Sequence, residues 1–472
     1  MKRTAVLVVL LVGCTTGVVP PDVAPPATTA RVTTTTTAPV GVDAAAGLGD
    51  RLFPDLGNAG YDVISYDIDM TLDGGLTAVD ATTTVVAEAT VPLRSFALDF
   101  VGHRVARVAV DEEAAGFHRD GRELRINPRT VIAAGERFVV VVDYDGRLEP
   151  VDMPGFPFPT GWQRGADGSR FLLSQPDGAS GVFPSNDHPR DRADVRLTVR
   201  VPAPHVVVSG GTLSGPVTQD GLDVYTAEIP GVAPYLIPLV IGDFSAVTTD
   251  DGVVTWLAGG GDLPPGFERQ GEILAVLVED LGPYPFGSIG AVIVDSGLGA
   301  ALETQTLPTY TTRSAAWAEP VIAHELAHQW FGNDITLGQW GDLWLNEGFA
   351  TFMTWRWMER DRGRETYVAE TRRAWEALAA VAHPAPADPP VHDLFNLSVY
   401  QRAGLGIVAL REFVGDEEFF PFLRAYVTAF AGESVTTDTF LTFVLLVLGP
   451  DAERLMVEWV RHEGLPEFPV GD

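Results

Sequence analysis

The chain has 472 residues, of which 46% are hydrophobic and 20% are charged, so its composition excludes a largely disordered protein and allows two or three folded domains. It carries 63 acidic and 32 basic residues, which give a formal net charge of −31. This charge repels the phosphate backbone of nucleic acids, and we expect no nucleic-acid partner.

Residues 1–13 have the pattern of an export signal. Lys2 and Arg3 form a short basic region, and the apolar run AVLVVLLV that follows is too short to span a bilayer. The run leads into Cys14, the only cysteine of the chain, in a setting that resembles the lipobox of bacterial lipoproteins. The resemblance implies an exported protein that a lipid on Cys14 anchors to the outer face of the bacterial cytoplasmic membrane. The alternative is an ordinary cleaved signal with an incidental cysteine.

Two stretches of different composition follow the signal. Residues 14–47 are rich in proline and threonine and poor in large apolar side chains, which predicts a linker without a packed core. Between residues 48 and 247, apolar residues alternate with polar or smaller ones, as in the run from Ile64 to Leu72, and turn sequences such as DGG separate the runs. The alternation predicts an N-terminal domain of antiparallel strands over residues 48–247.

Helical spacing of apolar residues dominates the remainder of the chain, residues 248–472. One helical stretch, EILAVLVEDL, and one buried strand, AVIVD, come first. The further predicted helices cover residues 317–331, about 343–361, 365–382, 403–414, 416–430, 438–448 and 451–463. The two parts together predict a multidomain α+β protein, in which a β domain precedes a mainly helical domain.

The stretch VIAHELAHQWFGNDITLGQWGDLWLNEGFATF has the pattern of a catalytic zinc site. His324 and His328 are four residues apart on a predicted helix, so both imidazoles lie on one face and reach one ion. Glu347, on the next helix, offers a carboxylate oxygen as the third ligand, which leaves a fourth position for water. Glu325 lies close enough to act on that water without being a ligand. We therefore expect one Zn2+ per chain; the alternative is a chance match in a structural helix.

The segments HELAHQWFGN and WLNEGFA resemble the gluzincin zinc aminopeptidases, the family of aminopeptidase N and leukotriene A4 hydrolase. Three N-terminal segments, YDVISYDIDMTLD, FPSNDHPRDRADV and APYLIPLVIGDF, are similar to landmarks of the same family. The resemblance implies an N-terminal β saddle or sandwich domain and, over residues 248–472, a thermolysin-like zinc metallopeptidase domain. Longer family members continue into a further helical domain that roofs the active site, so the access route and the substrate length stay open.

Two catalytic roles follow from the resemblance. Glu325 is expected to be the general base, which takes a proton from the water and passes it to the leaving amine. Tyr400, in the segment SVYQRAG, corresponds to the tyrosine that stabilises the oxyanion, although Ala403 stands where the family has glycine. Tyr310 is the weaker candidate for the same role. The alternative for Tyr400 is a tyrosine that only packs at the start of a helix and has no catalytic role.

An aminopeptidase must also bind the free N-terminal ammonium, and the resemblance implies residues for this task. Glu303 corresponds to the glutamate of the family's G-A-M-E-N strand, and the small residues Ala300 and Ala301 before it would let a substrate backbone lie alongside. In the segment SQPDGASG, Gln175 is an expected contact and Asp177 an additional carboxylate. The register leaves open which of the two aligns with the family's acid; the alternative for both is a polar turn.

These features favour a zinc aminopeptidase that acts on peptides. Endopeptidase cleavage by another gluzincin activity is one alternative, because the roofing domain is not found in the sequence. A surface-binding lipoprotein with a non-catalytic zinc site is an alternative from a different class. Glu325 and Tyr400 argue against it, because a closed structural zinc site needs neither residue.

Overall fold

The computed structural model describes residues 41–153, 156, 158–381 and 384–471. The predicted signal peptide at residues 1–13, Cys14 and the larger part of the predicted linker lie outside the described residues. Residues Val42–Asp43, inside the stretch predicted as linker, form a strand that pairs with the strand Leu93–Asp99. Regular structure therefore begins before residue 48.

Strands dominate the described residues up to residue 242, which are called the β part below. The strands up to Gly242 are, in chain order, β1 (Val42–Asp43), β2 (Tyr61–Leu72), β3 (Ala78–Ala89), β4 (Leu93–Asp99), β5 (Arg104–Val110), β6 (Glu113–Ala114), β7 (Gly116–Asp120), β8 (Glu123–Asn127), β9 (Arg137–Arg147), β10 (Pro150–Val151), β11 (Thr160–Arg164), β12 (Arg170–Leu173), β13 (Ala193–Val201), β14 (Val206–Ser209), β15 (Thr212–Gln219), β16 (Leu222–Val232) and β17 (Leu239–Gly242). They form an eight-stranded sheet, β15-β16-β13-β2-β3-β9-β5-β6, a five-stranded sheet, β10-β11-β12-β17-β14, and a four-stranded sheet, β1-β4-β8-β7.

The strand pairing departs from the predicted antiparallel arrangement at two places. Strands β2 and β13 are parallel, with Tyr66 opposite Val195, and β1 is parallel to β4. Parallel neighbours require a long connection that returns the chain to the same end of the sheet, and ten other strands lie between β2 and β13 in the sequence. The prediction of a purely antiparallel domain was therefore wrong for these two pairs.

A bulge in β2 changes which of its side chains reach the core. The alternation in the sequence placed Ile64 on the same face as Tyr66, but the pairing register with β3 shifts between Val63 and Ser65. Val63 and Tyr66 are therefore buried, whereas Ile64 is only half-buried. Beyond the bulge the alternation agrees with the prediction, and Met70 is fully buried.

The remaining described residues, called the helical part, contain short strands and most of the helices. The remaining strands are β18 (Phe244–Thr248), β19 (Val254–Ala258), β20 (Gly290–Val294), β21 (Ala301–Leu302), β22 (Thr309–Thr311), β23 (Thr336–Leu337) and β24 (Ser434–Val435). The helices are α1 (Gln270–Leu281), α2 (Thr312–Ala315), α3 (Glu319–Ala327), α4 (Trp344–Arg362), α5 (Arg364–Ala379), α6 (Ala403–Val414), α7 (Asp416–Phe430), α8 (Thr437–Leu448) and α9 (Pro450–Arg461). One sheet has the order β18-β19-β20-β22-β21. This sheet contains strands from both sides of the domain boundary predicted at residue 248, and that boundary stays a prediction.

Helix α3 is shorter than the helix predicted for residues 317–331. Ala318 has a φ of 57°, which a helix does not accommodate, so the helix begins at Glu319. After His328 the chain turns, and Gly332 adopts a φ of 126°. The other predicted helices agree with the structure to within a few residues at each end.

One hydrophobic core runs through both parts of the chain, and all described residues belong to one compact unit. Tyr235 of the β part packs edge to face on Trp340 of the helical part, with a centroid distance of 5.1 Å. Trp340 also contacts Phe53 in the same manner at 6.3 Å. Within the described residues, the structure contains no helix whose length and apolar character would let it cross a membrane.

Candidate active site

Helices α3 and α4 bring the predicted metal ligands together. Nε2 of His324 lies 3.1 Å from Oε2 of Glu347, and Nε2 of His328 lies 3.4 Å from the same oxygen. The two imidazole rings are nearly perpendicular, with a centroid distance of 4.7 Å. The side chains of His328 and Glu347 are almost fully buried, whereas that of His324 is 17% exposed. The site is therefore reached from the side of His324.

These spacings fit a zinc ion. Donor atoms bound to a tetrahedral zinc ion at about 2.0–2.1 Å are separated from each other by roughly 3.3 Å. The donor atoms of the three residues lie within 4.8 Å of one another, and no other such group occurs among the described residues. Nδ1 of His328 lies 3.0 Å from the carbonyl oxygen of Phe331. Nδ1 donates a hydrogen bond to this carbonyl oxygen, so Nε2 is the nitrogen that faces the metal position.

Close packing of α4 against α6 places a second element beside the metal ligands. A Cβ atom on Gly348, the residue after Glu347, would lie 2.6 Å from Cβ of Ala403. Only glycine permits the two helices to approach this closely. The contact holds the first turn of α4, which carries Glu347, against the turn that precedes α6.

Tyr400 lies in that turn, a π-helical segment over Ser398–Arg402. Its ring stacks on the ring of His324, with a centroid distance of 5.9 Å and an interplanar angle of 18°. Burial raises the pKa of the Tyr400 hydroxyl well above its usual value, and the nearby carboxylates of Glu347 and Glu303 act in the same direction. The hydroxyl therefore stays protonated and donates hydrogen bonds rather than carrying charge.

Tyr310, the weaker candidate for the same role, occupies a different environment. Its side chain is fully buried in β22 and packs edge to face on Phe267 at a centroid distance of 5.0 Å. Its hydroxyl has no hydrogen-bond partner among the described residues. Tyr400, which is half-buried and stacked on a metal ligand, is the better placed of the two.

Glu325 is buried beside the metal ligands. Burial raises the pKa of its carboxyl group well above the usual value. The charge of His328 opposes this shift, and the carboxylates of Glu303 and Glu347 add to it. A carboxylate with a raised pKa accepts a proton more readily, which is the property required of a general base toward water.

Glu303 is a further buried carboxylate at the site and directly follows β21. Gln175 donates a hydrogen bond from Nε2 to Oε1 of Glu303 over 2.9 Å. Burial raises the pKa of Glu303 to about 6. Ala301 in β21 and the preceding Ala300 are half-buried, and β21 is the terminal strand of its sheet. A terminal strand offers its outer edge to an extended peptide.

Comparison with known proteins places this arrangement in a family. The profile of the peptidase family M1 domain matches residues 280–459. A variant of an M1 zinc metallopeptidase from Deinococcus radiodurans, solved with a bound Tyr-Ser-Ala substrate, has a TM-score of 0.84 and 31% sequence identity, and the match covers 90% of this chain and 99% of that chain. The chain belongs to peptidase family M1. The predicted gluzincin resemblance and the predicted fold class, a strand-rich part followed by a helical metallopeptidase part, are confirmed.

Other M1 relatives are longer than this chain. Aminopeptidase M1-A from Oryza sativa subsp. japonica is 26% identical over 455 residues, which are 86% of this chain and 51% of the relative. A leucyl aminopeptidase from Saccharolobus solfataricus is 25% identical over 408 residues, which are 79% of this chain and 50% of the relative. The chain thus spans about half the length of these curated M1 relatives, and nearly the whole length of the D. radiodurans enzyme.

The sequence left open whether Gln175 or Asp177 of this M1 chain corresponds to the family's acid. The structure places the two residues in different environments. Gln175 contacts Glu303, whereas Asp177 contacts residues of the β part. Oδ2 of Asp177 forms an ion pair with Arg122, and Oδ1 accepts a hydrogen bond from Oγ1 of Thr160 over 3.3 Å. The structure therefore brings Gln175, and not Asp177, to the buried glutamate at the M1 site.

Two amides beside the M1 site had no predicted role. Oε1 of Gln329 accepts a hydrogen bond from the main-chain N of Thr306 over 2.8 Å, and Nδ2 of Asn333 donates one to the carbonyl oxygen of Glu303 over 2.7 Å. Both amides lie in the segment HELAHQWFGN and are fully buried. The signal in the sequence was a pair of polar residues in an apolar helix end, since buried amides require partners.

Proposed function

We propose that this M1 family member is a zinc aminopeptidase that removes the N-terminal residue from peptides. The observation that carries the proposal is the buried Glu303 carboxylate, which Gln175 holds beside a three-ligand metal site. A buried carboxylate in this position pairs with the free ammonium group of a peptide. The Tyr-Ser-Ala substrate of the D. radiodurans relative and the names of the two aminopeptidase relatives support the same activity.

Each residue of the site has one task in the proposed reaction. His324, His328 and Glu347 hold the zinc ion, which supplies Lewis-acid chemistry when it is bound. Glu325 takes a proton from the attacking water and delivers it to the leaving amine. Tyr400, whose hydroxyl stays protonated, donates a hydrogen bond to the oxyanion that develops on the scissile carbonyl group.

The experiment that tests this proposal compares peptides with free and with acetylated N-termini. We expect the wild-type protein to cleave the free peptides selectively, and a chelator to abolish cleavage until zinc is restored. The Glu303→Gln variant is expected to lower kcat/KM for free peptides by about tenfold or more, because a charged partner of the ammonium is lost. Glu149→Gln, which changes an exposed glutamate of the β part, is the matched control.

Two results would contradict the proposal. Equal cleavage of free and acetylated peptides would show that Glu303 does not bind an amine, and would favour an endopeptidase. Absence of chelator-sensitive hydrolysis of aminoacyl reporters would favour a surface-binding lipoprotein with a non-catalytic zinc site.

We also propose that the protein is exported and that a lipid on Cys14 anchors it to the outer face of the bacterial cytoplasmic membrane. The support is the basic and apolar pattern of residues 1–13 and the presence of a single cysteine at its end. We expect a Cys14→Ala variant to move from the membrane fraction to the soluble fraction of the cells. Its retention in the membrane fraction would contradict lipid anchoring.

A further inference from the structure

The segment that carries Glu303 is fastened to the segment that carries the metal ligand His328. The residues from Glu303 to Thr306 are buried and connect β21 to β22. Two fully buried amide side chains, those of Gln329 and Asn333, lie between this connection and the C-terminal end of α3. Their hydrogen bonds are directed to main-chain atoms on both sides.

Gln329 uses both ends of its amide group. Oε1 accepts the hydrogen bond from the main-chain N of Thr306 over 2.8 Å. Nε2 lies 3.4 Å from the carbonyl oxygens of Glu303, Thr304 and Glu325, among which it shares its two hydrogens. One side chain thus joins the main chain behind the amine-binding glutamate to the main chain of the helix that carries the general base.

Asn333 adds a shorter hydrogen bond to the same connection. Its Nδ2 donates to the carbonyl oxygen of Glu303 over 2.7 Å, and its main-chain N donates to the carbonyl oxygen of His328 over 3.1 Å. Asn333 therefore links the residue that binds the substrate amine to a residue that binds the metal. Its Oδ1 is buried without a hydrogen-bond partner among the described residues, so the amide is present despite the cost of an unpaired oxygen.

The conformation of Thr306 shows that tertiary contacts, rather than local preference, set the path of this connection. Its φ is 64°, a backbone region that residues other than glycine seldom adopt. Oγ1 of Thr306 accepts a hydrogen bond from N of Gly211 over 2.7 Å, and its carbonyl oxygen accepts one from N of Gly290 over 2.9 Å. Gln329 satisfies the remaining main-chain group, the N of Thr306.

We propose that Gln329 and Asn333 are positioning residues that fix the distance between the Glu303 carboxylate and the metal ligands, and that this distance confines cleavage to the first peptide bond. The inference rests on the proposed aminopeptidase function. Both amides act through the main chain of Glu303, while its carboxylate is bonded by Gln175. A displacement of about 1 Å between a bound group and the reacting atoms costs up to about 100-fold in rate, so a small shift of this segment alters the choice of bond.

The test uses the variant Gln329→Met, which keeps the length of the side chain and removes the amide. Its matched control is Gln270→Met, because Gln270 in α1 is equally buried and donates to Oγ1 of Thr255 over 2.9 Å and to the carbonyl oxygen of Phe267 over 3.0 Å, away from the metal site. In Gln329→Met we expect the ratio of kcat/KM for free over acetylated peptides to fall at least about tenfold, mainly through a higher KM for free peptides. We also expect mass spectrometry to detect released dipeptides. Gln270→Met should lose stability but keep the wild-type ratio.

A second variant, Asn333→Leu, removes the shorter hydrogen bond and is expected to change the ratio in the same direction. It carries the test if Gln329→Met does not fold. All ratios are measured on protein whose zinc content equals that of the wild type. If Gln329→Met and Asn333→Leu both keep the wild-type ratio and release only single residues, the inference is overturned and the proposed function stands. If the wild type does not prefer free N-termini, the proposed function fails, and the inference fails with it.

Discussion

The metal centre and a group of acids in the β part both bury carboxylates, and the two clusters differ in what surrounds the acids. At the metal centre, Glu303, Glu325 and Glu347 are buried next to His324 and His328. The Nε2 atoms of the two histidines face the same oxygen, Oε2 of Glu347. The cluster thus presents its donor atoms toward one point.

The second cluster, the β-part acid cluster, consists of Asp99, Glu123, Asp177 and Asp187. The surrounding protein, rather than an imidazole, satisfies most of its oxygen atoms. Oδ2 of Asp99 accepts a hydrogen bond from the main-chain N of Asp187 over 2.9 Å, and Asp177 forms an ion pair with Arg122. One oxygen each of Glu123 and Asp187 has no hydrogen-bond partner among the described residues.

The carboxyl pKa values of Glu347 at the metal centre and of Glu123 in the β-part acid cluster are shifted in opposite directions. Burial opposes the charge of Glu347, but His328 and His324 outweigh it and hold the pKa of Glu347 at about 2. Burial raises the pKa of Glu123 to about 8, and the charge of Asp99 acts in the same direction. Glu347, which faces both imidazoles, therefore stays ionised and suits a metal, whereas Glu123, which faces Asp99, retains its proton. Burial of carboxylates does not by itself create a metal site; convergence with histidines does.

The largest expected effect comes from Glu325→Gln at the metal centre. The amide cannot accept a proton from water, so we expect kcat/KM to fall by about 10³-fold while zinc content stays unchanged. Steady-state kinetics with an aminoacyl reporter and metal analysis of the same samples check this outcome. The same change in the β-part acid cluster, Glu123→Gln, should leave kcat/KM at the wild-type level. Substantial activity in zinc-loaded Glu325→Gln would contradict its role as general base.

A smaller loss is expected from Tyr400→Phe, which removes the hydrogen-bond donor to the oxyanion. We expect kcat to fall by about 10²-fold with little change in KM, because the bond forms mainly in the transition state. Tyr310→Phe is the control, since the Tyr310 hydroxyl is fully buried and should have little effect on kcat. If Tyr310→Phe had the larger effect on kcat, the assignment of the two tyrosines would have to be reversed.

The smallest effect concerns stability and tests the β-part acid cluster. The pKa of Glu123 in the folded protein, about 8, lies above its usual value of 4.5, so the folded state binds this proton more tightly than the unfolded state does. The contribution of Glu123 to stability is therefore complete below about pH 4.5 and is lost as the pH rises through about 8, by at most a few kcal/mol. Denaturant unfolding at pH 5 and pH 8 should show a smaller pH dependence in Glu123→Gln than in the wild type. Equal pH dependence in both proteins would mean that Glu123 keeps no proton in the fold.

The sequence by itself identified the three candidate metal ligands and most of the helices. A spacing of four residues becomes one face of a helix through local backbone geometry alone, so His324 and His328 were predicted to meet at one ion. Glu347 was predicted from the segment that follows, and the structure places its Oε2 within 3.4 Å of both imidazoles. Apolar periodicity predicted helices over most of the helical part for the same reason, because it reflects which face of each element is buried.

Only the tertiary structure decided contacts between segments that are distant in the chain. Gln175 and Glu303 are 128 residues apart, and no periodic pattern in the sequence indicates that Gln175, rather than Asp177, reaches the carboxylate. The bulge after Val63 and the parallel pairing of β2 with β13 arise from register between strands, which alternation within one strand does not encode. The bond from Asn333 to the main chain of Glu303 has the same origin. Hydrogen bonds between distant segments depend on the packing of the whole chain, whereas the metal motif depends on one turn of helix and its neighbour.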